Sequence, residues 1–205
     1  YLEEQILETI RANHAEMNAN RVRITVFRDA EGNYAPSSNQ IGYTISSTPL
    51  PNQDFVFNAA GLKIDLFKDH FKQPSLLSNL KTSNALLYVL AGIFKQENSL
   101  DECIILNDRK EVTEAISSNI FIVKGDIVFT PPAETGCLKG VMRKNVIKLC
   151  KAQGFELREE TFSPFELQRA DEVFLTNAIN GIQWVASYRK KEYTNAVAKK
   201  LSDAL

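Results

Sequence analysis

Apolar positions near the start of the chain recur first every four residues and then every second residue. Leu2, Ile6 and Ile10 form a stripe on one face of an amphipathic helix. Alternation over residues 22–27 and again over residues 41–45 is typical of half-buried strands. The pattern therefore predicts one helix followed by two strands.

The rest of the chain predicts a mixture of strands and helices. Further strands are predicted at residues 62–66, 103–106, 120–123, 127–129 and 173–176. Helices are predicted at residues 86–97, 142–150 and 194–205, and Gly154 suits the position just after the second of them. Another helix should begin at Ser163, where Pro164 and Glu166 complete a capping box.

Two closely spaced prolines suggest a domain boundary. Pro49 and Pro51 each fix φ and bias the preceding residue away from helix, so residues 48–52 should be an extended connector. We expect a partial N-terminal small domain at residues 1–48 and a C-terminal domain at residues 49–205. Strands and helices do not alternate strictly, which favours an α+β fold over a doubly wound sheet.

The composition gives no sign of a nucleic-acid-binding, membrane or secreted protein. The formal net charge is −1, from 24 basic and 25 acidic residues, and no block of like charge indicates a nucleic-acid or membrane-surface partner. No apolar stretch has the length of a membrane span, and no signal peptide is visible. Cys103, Cys137 and Cys150 are odd in number, which favours reduced thiols in a cytoplasmic protein.

No metal site is predicted, and the start of the chain is unusual. The three cysteines lack metal-ligand spacing, and two histidines are too few for a histidine-based site. The chain begins at Tyr1, without Met, directly in the first predicted helix. We expect residues upstream of it.

Four short motifs follow one another along the chain. They are Asn79-Leu80-Lys81-Thr82-Ser83-Asn84, Glu111 to Phe121, Leu138-Lys139-Gly140-Val141-Met142-Arg143 and Phe174-Leu175-Thr176-Asn177-Ala178. Lys81 and Glu114 are separated by 114 − 81 = 33 residues. Each motif alone is weak, whereas four in one order and spacing are specific.

This set resembles the fold-type IV enzymes of the class IV aminotransferase family, which use pyridoxal 5′-phosphate (PLP). The family includes branched-chain aminotransferases, D-amino acid aminotransferases and aminodeoxychorismate lyases. The resemblance spans about residues 20–180. It implies a partial small N-terminal α/β domain, a larger pseudo-barrel domain and a homodimer. An arginine that the family directs to the phosphate would lie upstream of Tyr1.

The resemblance implies roles for one amine and one carboxylate. Lys81 would bind PLP covalently through its amine and then move protons at the substrate Cα, and the alternative is a surface lysine. Glu114 would contact the pyridine nitrogen, favouring the protonated ring that acts as an electron sink. Glu111 is the competing carboxylate, but only Glu114 has the family's Thr-Glu register.

The resemblance also implies contacts to the cofactor phosphate. Backbone N–H groups at Gly140, Val141 and Met142 would bind it at the start of a helix, and the alternative is a plain loop-to-helix junction. Asn177 and Ala178 align with a second phosphate contact. Ser117 and Ser118 would line the cofactor edge or act only as turn residues. Arg143 and Asn84 are as compatible with structural roles as with ligand binding.

The resemblance orders three functions. Leu86 stands where many family members have an aromatic residue, and the Lys81 motif is closer to aminodeoxychorismate lyase than to branched-chain aminotransferases. The leading hypothesis is therefore a PLP lyase of the folate pathway that converts 4-amino-4-deoxychorismate to 4-aminobenzoate and pyruvate. The alternatives are an aminotransferase that uses 2-oxoglutarate and a non-catalytic homologue.

Overall fold

The computed structural model describes residues 1–13, 15 and 19–205, and its contacts divide them into two units. The units are Tyr1–Phe55 and Val56–Leu205. Pro49, where the sequence predicts a boundary, is the last residue of a strand in the first unit.

The N-terminal unit consists of a helix and a two-stranded hairpin. Helix α1 spans Leu2–Ala12, strand β1 spans Asn20–Arg28 and strand β2 spans Ile41–Pro49. The strands pair antiparallel from Asn20 opposite Pro49 to Arg28 opposite Ile41. The helix and both strands predicted from the apolar spacing are confirmed.

The C-terminal unit contains nine strands and four α-helices. Its first half is β3 (Leu62–Lys72), α2 (Leu86–Glu97), β4 (Glu102–Asn107), β5 (Val112–Ala115), β6 (Asn119–Lys124) and β7 (Ile127–Thr130). Its second half is α3 (Val141–Ala152), β8 (Glu156–Glu159), α4 (Pro164–Arg169), β9 (Glu172–Asn177), β10 (Gly181–Tyr188), β11 (Lys191–Glu192) and α5 (Ala196–Ser202).

The nine strands form one mixed sheet that curls on itself. Their order is β5-β4-β3-β10-β9-β6-β7-β8, with β11 paired to β10. Strands β5 and β6 are five places apart in this order, yet only residues 116–118 connect them. The Ala115 N–H donates to the Ser118 carbonyl at 2.8 Å, so the two strands meet. The sheet therefore curls into a half-barrel, which agrees with the predicted α+β pseudo-barrel.

The core lies on both sides of this sheet. All six residues of β4 are buried, which explains why residues 103–106 form an apolar run instead of alternating. Phe121 of β6 and Phe174 of β9 stack with ring centroids 5.0 Å apart. Helix α3 packs against the same face through Met142, Val146 and Cys150. No helix in residues 1–13, 15 and 19–205 is long and apolar enough to cross a membrane.

Two sequence predictions need correction. Helix α4 begins at Pro164 as predicted, but no described side chain caps it, so the capping box is not formed. The reason is that Glu166 is bound elsewhere: its carboxylate accepts from the Lys124 ammonium at 2.6 Å. Strand β3 is also longer than predicted and continues to Lys72.

Candidate active site

Glu114 is a buried carboxylate on β5, the first strand in the order of the curled sheet. It lies opposite Ile105 of β4, and its side chain is 2 % exposed. The Leu138 N–H donates to its Oε2 at 2.8 Å, from the segment that leads into α3. Two side chains donate to its other oxygen, Oε1. A buried carboxylate requires such partners, because an unpaired charge is costly away from water.

Lys72 provides the charge that balances Glu114. It is the last residue of β3, its side chain is 9 % exposed, and its ammonium forms an ion pair with Oε1 of Glu114. Sequence reasoning missed this residue because β3 was predicted to end at residue 66. No local pattern indicated it, because Lys68 and His70 at the next even positions are exposed and the pairing register shifts between Phe67 and Lys72.

Tyr88 is the second side-chain donor to Glu114. It lies on α2 and donates its hydroxyl to Oε1 at 2.5 Å. Burial, followed by the adjacent charge of Glu114, raises the pKa of Tyr88 far above its ordinary value, so the hydroxyl keeps its proton. The Lys72 ammonium also lies 5.5 Å from the centre of the Tyr88 ring. The three side chains form one cluster, here called the Glu114 cluster.

Lys81 lies outside the Glu114 cluster as the structure has it. Its side chain is exposed in the loop between β3 and α2, and the amine that contacts Glu114 is that of Lys72. The loop itself is anchored two residues earlier: Asn79 donates to the Cys137 carbonyl at 2.7 Å and accepts from the Lys139 N–H at 3.3 Å. Lys81 therefore follows a segment that lies against the chain between Glu114 and α3.

The start of α3 has the features of an anion site. Helix α3 begins at Val141, with Gly140 at its N-cap, and no described side chain caps it. Its first N–H groups and its dipole thus favour a negative group. A Cβ at Gly140 would lie 2.2 Å from Oδ1 of Asn119, so only glycine fits there without displacing Asn119. The Val141 side chain is exposed and that of Met142 is buried in the core.

Ser118 and Asn177 adjoin the start of α3. Asn177 donates to the Ser118 hydroxyl at 3.0 Å, and Asn119 donates to the Leu138 carbonyl at 2.8 Å. The Thr176 hydroxyl oxygen, beside Asn177, is buried and has no hydrogen-bond partner in the described chain. Ala178 is exposed in the following turn. The second predicted phosphate contact therefore lies on the strand that pairs with Asn119.

Ser117 lies in a different hydrogen-bond group. Its hydroxyl donates to Oε2 of Glu102 at 2.9 Å. Together with Lys95 these residues line an open cavity of about 590 Å³. Burial raises the pKa of Glu102, and the hydrogen bond from Ser117 opposes that shift.

The remaining candidates are Arg143, Asn84 and Glu111. None of them forms a hydrogen bond with the Glu114 cluster among the described residues. Arg143 is buried and donates to the Pro131 carbonyl at 2.8 Å and to Glu159 at 2.6 Å. Asn84 is exposed and precedes α2 without capping it. Glu111, the competing carboxylate, pairs with Arg109 at 2.9 Å near the surface. Of the two glutamates, only Glu114 is buried among donors.

Comparison with known families assigns the chain to one of them. The model of the class IV aminotransferases matches residues 1–188. The chain belongs to the class IV aminotransferase family. The predicted membership is confirmed, and the curled α+β sheet is that family's fold.

Three relatives illustrate the range of the family. A branched-chain-amino-acid aminotransferase of Methanocaldococcus jannaschii, itself assigned provisionally, is 42% identical over 97 residues, or 47% of this chain and 34% of that protein. Aminodeoxychorismate lyase of Vibrio harveyi is 27% identical over 173 residues, or 83% and 64%. The PLP form of the Thermobaculum terrenum branched-chain aminotransferase superposes with a TM-score of 0.85 at 22% identity, covering 98% and 67%.

The match to the curated relatives covers only part of their length. It spans about one third of the M. jannaschii protein and just under two thirds of the V. harveyi lyase. PLP, the cofactor predicted from the four motifs, is the one carried by the T. terrenum enzyme of this family.

Proposed function

We propose that the protein is a PLP-dependent aminodeoxychorismate lyase, which converts 4-amino-4-deoxychorismate to 4-aminobenzoate and pyruvate. The observation that carries PLP binding is the pairing of two sites within one hydrogen-bonded segment. Leu138 donates to the buried Glu114, and two residues later Gly140 opens the uncapped helix α3. A carboxylate for the pyridine nitrogen and N–H groups for the phosphate thus lie at opposite ends of a short stretch.

The residues present fit the cofactor chemically. Glu114 receives three donors from the described residues, while a carboxylate offers about four lone-pair positions. One position on Oε2 is left for the pyridine N–H. The start of α3, with Gly140 and the Asn177 segment beside it, offers backbone N–H groups to the phosphate.

Lys81, Glu114 and the start of α3 then have separate tasks in catalysis. PLP, when bound, supplies the electron sink that stabilises negative charge at the substrate Cα. Lys81 would hold the cofactor through its amine and would move a proton at the substrate Cα. Glu114 holds the proton of the pyridine nitrogen through its negative charge. The N–H groups of Val141 and Met142 would hold the cofactor phosphate at the start of α3, whereas the Gly140 N–H donates to the Leu138 carbonyl at 2.9 Å.

The lyase is preferred over an aminotransferase because Lys81-Thr82-Ser83-Asn84 and Thr176-Asn177-Ala178 resemble aminodeoxychorismate lyases more than branched-chain aminotransferases. The extent of the match does not separate the two, since a branched-chain-aminotransferase-like protein of Arabidopsis thaliana aligns over 87% of the chain at 29% identity. The V. harveyi lyase aligns over 83% of the chain, including the Lys81, Glu114 and Gly140 motifs. The M. jannaschii aminotransferase is more similar, at 42% identity, but over a shorter stretch. An aminotransferase that uses 2-oxoglutarate, acting on a branched-chain or D-amino acid, is therefore the second candidate.

A single assay separates the two reactions. Purified full-length protein with PLP should release pyruvate from 4-amino-4-deoxychorismate with no keto acid present, because elimination regenerates the cofactor without an acceptor. An aminotransferase would stop after one turnover. Pyruvate measured by coupled NADH oxidation, with and without 2-oxoglutarate, gives the answer. Turnover that depends on 2-oxoglutarate with an amino acid panel would replace the lyase by the second candidate.

A non-catalytic homologue is disfavoured because burying the Lys72–Glu114 ion pair costs free energy. Burying an ion pair is not in itself a stable solution, since well-packed apolar residues often serve equally well. The presence of Lys72 and Glu114 in the interior, beside the half-buried Tyr88, is better explained by a ligand that uses the carboxylate.

We also propose a homodimer, supported by the outer face of α2. Four apolar side chains on this helix are exposed at i, i+3, i+4 and i+7 spacing: Leu86, Val89, Leu90 and Ile93. A second copy can bury the same stripe about a two-fold axis. Sedimentation equilibrium of the wild type and of Val89→Asp should give a dimer and a monomer, respectively. A monomeric wild type at micromolar concentration would contradict the proposal.

A place in cytoplasmic folate biosynthesis follows from the lyase reaction. The three cysteines are free and buried, which suits a reducing compartment. The pyruvate assay described above also tests this assignment.

A further inference from the structure

The Glu114 cluster contains a buried amine to which the proposed chemistry gives no role. Lys72 lies against Oε1 of Glu114, the carboxylate assigned to the pyridine nitrogen. In PLP the carbon that takes up an amine lies opposite that nitrogen across the ring. A lysine bound to Glu114 is therefore at the wrong end of the ring to bind the cofactor covalently.

The donors to Glu114 are distributed unequally between its two oxygens. Oε1 accepts from the Lys72 ammonium and the Tyr88 hydroxyl, which use both of its lone pairs. Oε2 accepts only from the Leu138 N–H among the described residues. The carboxylate is thus fixed in rotation, and its one remaining lone pair is on Oε2.

We propose that Lys72 is a positioning residue that, with Tyr88, holds the Glu114 carboxylate so that Oε2 is left to accept the pyridine N–H. The inference rests on the proposed PLP function and extends it. Charged donors make the stronger hydrogen bonds, so Lys72 contributes more to this orientation than the neutral Tyr88 does. Tyr88 remains a donor because its raised pKa keeps the hydroxyl protonated.

A double-mutant cycle on PLP affinity tests this role. The four proteins are the full-length wild type, Lys72→Met, Glu114→Gln and the double variant, and each apoprotein is titrated with PLP by absorbance. Lys72→Met should weaken PLP binding about tenfold in the wild-type background, since a charged hydrogen bond is lost. In the Glu114→Gln background the same change should alter affinity by less than about twofold.

The controls separate positioning from general damage. Lys68→Met removes an exposed lysine from the same strand and should leave PLP affinity unchanged. If Lys72→Met does not fold, Lys72→Gln retains an N–H donor without the charge and should show the same coupling with Glu114→Gln. The double variant has no unpaired buried charge, so it should fold in either case.

The outcomes are distinct. Equal loss of affinity in both Glu114 backgrounds, or tighter binding by Lys72→Met, overturns the positioning role while the PLP function stands. A wild type that takes up no PLP overturns both proposals. Loss of affinity confined to the background that retains Glu114 supports the proposal.

Discussion

Replacing Lys81 by alanine should lower kcat/KM by at least about 10³-fold, because the variant loses both the covalent anchor and the proton-transfer group. Lys81 is exposed in its loop and lies outside the core, so the fold should be unaffected. Pyruvate release and thermal unfolding, measured on the same preparation, check both statements. A small primary amine added to the assay should restore part of the rate.

Lys148→Ala is the matched control for Lys81. It removes another exposed lysine, on the outer face of α3, and should retain full activity. Should Lys81→Ala keep more than a tenth of the wild-type rate, the covalent role would belong to another amine. Lys72 would be the first to examine, because it is the amine that the structure places at Glu114.

Replacing Glu114 by alanine should destabilise the protein by about 3–5 kcal/mol, because it leaves the Lys72 ammonium buried without a partner. The Leu138 N–H and the Tyr88 hydroxyl lose their acceptor in the same step. Urea denaturation of the apoprotein measures the free energy of unfolding. PLP binding should weaken as well, since nothing then meets the pyridine nitrogen.

Glu111→Ala controls for the loss of a nearby carboxylate. Glu111 lies three residues from Glu114, but its side chain is 25 % exposed and pairs with Arg109. Its removal breaks this pair and the hydrogen bond from buried Asn107 at 2.7 Å, and should therefore cost about 1–2 kcal/mol, less than the loss of Glu114. Equal effects of the two substitutions would mean that the buried ion pair is unimportant to the fold.

The sequence predicted the fold largely through local patterns. Helix α3 and the β6–β7 hairpin were predicted because their apolar periods and turn residues are contained in short segments. Strand β10 was missed because Gly181, Gln183 and Ser187 interrupt its alternation. Its position between β3 and β9 is fixed by pairing with distant strands, which no local pattern encodes.

The residues of the candidate site also divide into those that a local motif predicts and those that depend on distant contacts. Glu114 and the start of α3 were predicted as site residues because their motifs are short and ordered along the chain. Lys72 and Tyr88 were missed because they reach Glu114 across 42 and 26 residues of sequence. Such contacts depend on how the sheet curls, and one sequence without aligned homologues does not contain that information in readable form.

The central claim is that Lys81, and no other amine, binds the cofactor. Full-length protein incubated with PLP, reduced with borohydride and digested should carry the pyridoxyl mass on the peptide that contains Lys81. The same label on the Lys72 peptide, or no label at all, would contradict the account.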